Sequence, residues 1–382
     1  MTMGPTASDS IDPIPLTPSM FTYPSWYRAL LATGLLSLAA CGDLSPPSVE
    51  VAVRRDTARV AEAFISAFKE ADNIDSPAIY HGRDGEHWVI ATAKATHQLV
   101  VFDAVTGEEL RRVGVEGGGE GQLLRPNGIL VLGDSVLLVV ERDNRRVQGF
   151  RLPSFAPLGT FGAEELQKPY GLTVLEREGG WRVYVTDNYE TPAETVPPLS
   201  ELGARVKWYH VALDGAGRLT SRFGAAFGDT TAAGAIQVTE SIAADPDNDV
   251  LLLAEELETD SYLKVYTLDG VFTGRTLGRG DFPQQAEGIA LYACADGGGY
   301  WIATDQGPTV NTFHVYDRRS FARVASFAAA ATNTTDGIAL TQRGFGPFPS
   351  GAFYMAHGDA AISGVSWAAI ADATGVRKDC TR

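Results

Sequence analysis

The chain is short of the side chains that build transition-metal sites: its 382 residues include 3 Cys, 6 His and 4 Met. The histidines are scattered and no His/Cys pair has ligand spacing, which argues against zinc. Positive charge is scarce too, with 31 Lys+Arg against 47 Asp+Glu and a formal net charge of −16. So few bases leave nothing to release counterions from a phosphate backbone, which excludes nucleic acid as a partner. No uninterrupted apolar run reaches the ~20 residues that a bilayer-spanning helix needs. The glycine cluster Gly117–Gly121 is not followed by GK[ST], so it is a loop and not a phosphate cradle. Neither a GxSxG elbow nor a Ser/His/Asp ordering is present.

What is abundant is turn chemistry. There are 41 Gly and 20 Pro without a collagen period, beside a hydrophobic share of 45%. That share is ordinary for a globular chain and far above what disorder requires. The combination favours many short strands.

Residues 1–40 read as a leader outside the fold. Tyr27-Arg28 precedes an apolar run from Ala29 to Ala40, and Leu38-Ala39-Ala40-Cys41 resembles a bacterial lipobox. The expectation is an exported protein, with Cys41 lipidated and residues 41–50 serving as a tether, or a plainly secreted one. Membrane attachment would then come only through the lipid. Residues 51–382 would form the folded part. Within it, Cys294 and Cys380 could pair in an oxidising compartment or remain two thiols, since spacing alone gives no distance.

The folded part is organised by a sixfold repeat. β-rich runs ending in polar residues recur at His87–Lys94, Val136–Asn144, Trp181–Glu190, Asp249–Glu256, Tyr300–Gln306 and Ala352–Asp359. Each is preceded by a short entry motif beginning at Pro77, Asn127, Tyr170, Glu240, Glu287 and Asp336. Units of 40–50 residues with about four strands each mark a β-propeller. The predicted fold is therefore all-β, a six-bladed β-propeller, with the N-terminal strand Ser48–Val53 closing the last blade. One helix is expected over residues 55–70, where Ala61, Phe64, Ile65 and Phe68 share a face.

Register also says where chemistry collects. Innermost strands line the channel, so the entry motifs place Asn127, Tyr170, Glu240, Glu287 and Asp336 at one height, with Asp75 two residues ahead of its equivalent position. Neighbouring strand ends add Lys94, Asn144-Arg145, Asp187, Glu255-Glu256, Asp305-Gln306 and Asp359. Converging carboxylates repel by about 4 kcal/mol per pair at 4 Å and an effective dielectric near 20. They must protonate, splay or bind a cation, and an all-oxygen set suits Ca²⁺. The alternative is that these acids are solvated turn residues capping strands.

These motifs resemble those of the β-propeller phytases, calcium-dependent phosphomonoesterases that act on inositol hexakisphosphate. Asp75-Ser76-Pro77-Ala78-Ile79-Tyr80, the segment Gln237–Glu256, Gln285-Ala286-Glu287-Gly288, Thr304-Asp305-Gln306-Gly307 and Thr335-Asp336-Gly337-Ile338 follow in the family's order. The resemblance implies calcium ligands at Asp75, Tyr170, Glu240, Glu256, Glu287, Gln306 and Asp336. It implies catalytic roles for Tyr170, Glu240, Lys94 and Arg145, the last two also binding substrate phosphate. The implied activity is that of a 3-phytase-like phosphatase, monomeric, with an inositol phosphate as substrate. Ser76, Gln285 and Asn188 depart from the family pattern and remove charge from it. Asn188 and Gln285 favour the alternative, a non-catalytic propeller that binds a ligand or partner at the envelope.

Overall fold

The computed structural model describes residues 57–257 and 259–380. The leader, the tether, Cys41 and Ser48–Val53 lie outside the described residues. Six antiparallel sheets follow one another along the chain. Their innermost strands are Ile74–His81, Pro126–Leu132, Pro169–Arg177, Ile242–Asp245, Gln285–Ala293 and Ile338–Thr341. Each pairs with a second strand: His87–Ala93, Val136–Glu141, Gly180–Asp187, Val250–Glu255, Gly299–Gln306 and Ala352–His357. The protein is a six-bladed β-propeller, as the repeat predicts.

Alternation explains the core. Second strands are buried on both faces, so Val136–Glu141 and Val250–Glu255 are enclosed at every residue. Such strands read as continuous apolar runs. Their side chains pack between adjacent blades, as where Ile302, Phe313 and Phe327 of blade five meet Phe353 and Met355 of blade six.

The expected helix over residues 55–70 does not form. Thr57–Val60 pairs in parallel with the outermost strand of blade five, and Phe64–Ile65 pairs with Ala361–Ser366 as the fourth strand of blade six. Phe64 lies against Gly364 and the ring of Tyr354, 6.1 Å away. An open sheet edge offers backbone partners that outweigh a weak helical periodicity. Closure of the ring thus joins the chain's start to its end, but through Phe64–Ile65.

The sole α-helix among the described residues, Trp367–Thr374, buries Trp367 and Ile370 in the same core as Cys294 and Cys380. Those two cysteines form a disulfide, which settles their pairing and pins the C-terminus to blade five. Among the described residues no helix is long and apolar enough to cross a membrane.

Candidate functional site: a ring of acids at one end of the channel

The ring is built by backbone irregularity. The inner-strand ladders break between Ile74 and Pro77, Pro126 and Ile129, Pro169 and Leu172, and Ala286 and Ile289. Each break holds two residues: Asp75-Ser76, Asn127-Gly128, Tyr170-Gly171 and Glu287-Gly288. In blades four and six, Glu240-Ser241 and Asp336-Gly337 stand just before the ladder begins. Bulges bend a strand and re-aim its side chain, which is why they recur at functional sites. The register corrects one expectation: Asp75 occupies the ring position itself, with Ser76, like Ser241 of blade four, in the place that glycine fills in the other four blades.

That glycine is required by close approach. A Cβ on Gly171 would lie 2.1 Å from the Glu240 carbonyl oxygen, and one on Gly128 2.5 Å from that of Tyr170. Hydrogen bonds stitch blades together at this height. The Thr92 hydroxyl donates to the Asn127 carbonyl (2.7 Å) and the Thr186 hydroxyl to that of Glu240 (2.8 Å). Gly337 N–H donates to the Asp75 carbonyl at 3.0 Å.

Two charge groups share the ring. In the first, Glu240, Glu256 and Glu287 each bring an oxygen within 4.8 Å of the others. Glu256 Oε1 accepts the backbone N–H groups of Glu240 and Ser241, at 3.1 and 3.0 Å. Its Oε2 is buried with no hydrogen-bond partner among the described residues. At 4.8 Å and an effective dielectric near 20, each ionised pair repels by about 3.5 kcal/mol. Burial first, then the charge of Asp75, pushes Glu240 up to about 8. Burial and neighbouring carboxylates raise Glu256 and Glu287 as well.

In the second group the Lys94 ammonium sits 2.9 Å from Asp75 and 3.0 Å from Asp336. Burial opposes its charge, but the two carboxylates hold its proton far above the usual lysine range. The Gln306 amide donates to the other oxygen of Asp336. Burial pushes Asp336 up to about 7, against the pull of Lys94. Tyr170 is hydrogen-bonded to Glu240 and to Arg142, and burial raises its phenol well above the usual range.

The strand-end acids do not all face the channel. Glu255 accepts the N–H groups of Gln237 and Val238, at 2.9 and 3.0 Å, and pairs with Lys264 at 3.0 Å. Asp187 likewise takes the N–H groups of Gln167 and Lys168 and pairs with Lys207. Asp305 receives Gln284 N–H at 3.1 Å. Because side chains alternate along a strand, these acids turn into their own blades and the next residue faces the ring. That next residue is Lys94, Arg142, Asn188, Glu256 or Gln306 in blades one to five. Asp359 is half-buried beside Lys94 and Asp75, its carboxyl raised by burial.

The same register places Arg145 and Arg142. Arg145 is exposed in the turn after Val136–Glu141, at a φ of 52°. Arg142, which sequence reasoning passed over, follows Glu141 as Lys94 follows Ala93, and it reaches Tyr170. Pairing of Glu141 with Pro126 and of Ala93 with Ile74 is the signal that identifies it. Asn127, the ring residue of blade two, is fully buried with both side-chain polar atoms unpartnered among the described residues.

Residues 229–381 match the family model of the phytases. That segment spans blades four to six, about two-fifths of the chain. The matched segment supplies Glu240, Glu256, Glu287, Gln306 and Asp336, whereas Asp75, Lys94, Arg142 and Tyr170 come from the first three blades. Two solved structures are similar at low identity. The hydrazine synthase of Kuenenia stuttgartiensis is 13% identical, covers 76% of this chain and 75% of its own, and has a TM-score of 0.42. BBS1N, solved in complex with ARL6DN, is 12% identical over 80% of this chain and 97% of its own, with a TM-score of 0.46. Neither likeness carries an argument about this chain.

Proposed function

We propose that this propeller is a calcium-dependent phosphomonoesterase that releases phosphate from inositol hexakisphosphate or a related phosphoester. The observation that carries the reading is the Glu240/Glu256/Glu287 cluster, with its unpartnered Glu256 oxygen, inside the segment that matches the phytases. Three mutually repelling carboxylates, two of them buried and Glu240 partly exposed, are a donor set for a hard divalent cation, and no lysine or arginine is paired with these three among the described ion pairs. When bound there, Ca²⁺ would neutralise the cluster, polarise a phosphoryl oxygen and make water a better nucleophile.

The chain's own groups do the rest. Lys94 pairs with Asp75 and Asp336 and places a positive charge beside the ring. Arg142, partly exposed beside Tyr170, presents a planar fork suited to phosphate oxygens. The Tyr170 phenol stays protonated and donates to Glu240, fixing that carboxylate. Arg145 is replaced in the proposed phosphate-binding role by Arg142.

Export through the leader at residues 1–40, lipidation of Cys41 and action as a monomer belong to the same proposal. The test is phosphate release from phytate and p-nitrophenyl phosphate, with Ca²⁺ and with EGTA. Release that requires Ca²⁺ supports the reading. No Ca²⁺-dependent release from either substrate would overturn it in favour of a binding propeller, the reading that the neutral Asn188 and Gln285 favour.

A further inference from the structure

The ring of acids is the end wall of a cavity of about 400 Å³ that continues down the propeller axis to His81 and Thr341. Below Asp75, Tyr170, Glu240, Glu287 and Asp336 its walls change character. Ile79, Leu130, Ile289, Leu291, Ile338 and Leu340 line it from four inner strands, all of them partly exposed. Each of the six also packs against an interblade core, so its position in the wall is fixed. Ala243 and Ala244 complete the lining on the blade-four side and leave room there.

Few polar side chains line this wall below the ring, and three of them, Ser76, His81 and Thr341, are engaged within the protein. The Ser76 hydroxyl donates to Asp75 at 3.0 Å, and His81 Nε2 lies 2.8 Å from the Thr341 hydroxyl. The wall therefore offers little to the hydroxyls or extra phosphates of a polar leaving group. Positive charge near the ring is also limited to Lys94, held by two carboxylates, and Arg142, whose Nε is bound to Asp143, while Asn188 is neutral. A single cavity with a cation-seeking end and an apolar shaft fits an amphiphile: one phosphate at the ring and a hydrocarbon group along the axis.

We propose that the shaft below the acid ring binds the apolar alkyl group of a monoalkyl phosphate whose phosphate is held at the ring. This deepens the phosphomonoesterase reading and rests on it for the position of the phosphate.

The test separates the two. Binding of methyl, butyl and hexyl phosphonate, which cannot be hydrolysed at the P–C bond, is measured by calorimetry on the Ca²⁺-loaded full chain. Burial of each methylene predicts a three- to fourfold gain in affinity per added carbon. Ala243→Phe, which fills the shaft, flattens the series; should that variant not fold, Ala244→Leu serves the same purpose, with circular dichroism checking the fold. Equal affinity for all three phosphonates overturns the shaft proposal whatever the hydrolysis assay gives. A rising series with no Ca²⁺-dependent phosphate release from monoalkyl phosphates, phytate or p-nitrophenyl phosphate upholds the shaft and overturns the phosphatase reading instead.

Discussion

Replacing Glu240 by Gln should stabilise the protein when Ca²⁺ is chelated, although the residue is central to the site. Burial, then the charge of Asp75, pushes Glu240 up to about 8, against about 4.5 for a free glutamate. A carboxyl group raised on folding contributes its full share of stability below about pH 4.5 and loses it as pH rises through 8. At pH 7 the loss is about 2.5 units at 1.36 kcal/mol each, on the order of 3 kcal/mol. The Coulomb repulsion across 4.8 Å, about 3.5 kcal/mol per pair, independently gives the same size. Glutamine keeps the shape and removes the charge. With an unfolding entropy of about 0.7 kcal/mol/K for roughly 320 residues, 3 kcal/mol corresponds to about 4 °C.

The assay is thermal unfolding in EGTA between pH 5 and 8. Wild-type Tm should fall across that range, and Glu240→Gln should fall less and lie above it at pH 7–8. Excess Ca²⁺ should reverse the order, because the variant has lost a ligand. A chelated wild type whose Tm is flat from pH 5 to 8, with Glu240→Gln at or below it, would refute the reasoning.

Lys94→Met should cost about 3–5 kcal/mol in chelator, because it leaves buried Asp75 and partly exposed Asp336 side by side without their ammonium; denaturant unfolding with and without Ca²⁺ measures the loss. Cys380→Ser opens a loop of 86 residues and should destabilise by about 4 kcal/mol, read as a lower denaturation midpoint that reduction of the wild type reproduces. His81 is buried, and desolvation, then His87 and Arg343, lower it to about 4, with Asp134 pulling the other way. Its contribution is present above pH 6.5 and lost as pH falls toward 4, so His81→Gln should flatten the acid limb of stability by up to about 3 kcal/mol.

The blades were legible because each second strand is buried on both faces and ends in polar residues, a pattern no helix shares. The entry motifs placed Tyr170, Glu240, Glu287 and Asp336 at one height, and the structure brings them to one wall. Three features escaped the sequence for identifiable reasons. The pairing of Thr57–Val60 and Phe64–Ile65 depends on sheet edges more than 260 residues away in sequence. Matching Pro77-Ala78-Ile79 to the other entry motifs sets Asp75 two residues out of line, which only the ladder break corrects, and without the strand's last paired residue Arg145 in the turn cannot be told from Arg142 at the strand end. The division of Glu255 from Glu256, and of Asp305 from Gln306, follows from alternation, but only once the strand's last paired residue is known.

The central claim is that the Glu240/Glu256/Glu287 cluster holds a catalytic Ca²⁺. It is tested most directly by measuring phosphate release from phytate and p-nitrophenyl phosphate as free Ca²⁺ is titrated, for the wild type and for folded Glu240→Gln and Glu256→Gln. The account predicts release that rises with Ca²⁺, vanishes in EGTA, and drops at least a hundredfold in both variants. Release that is indifferent to EGTA, or undiminished in the variants, would contradict it.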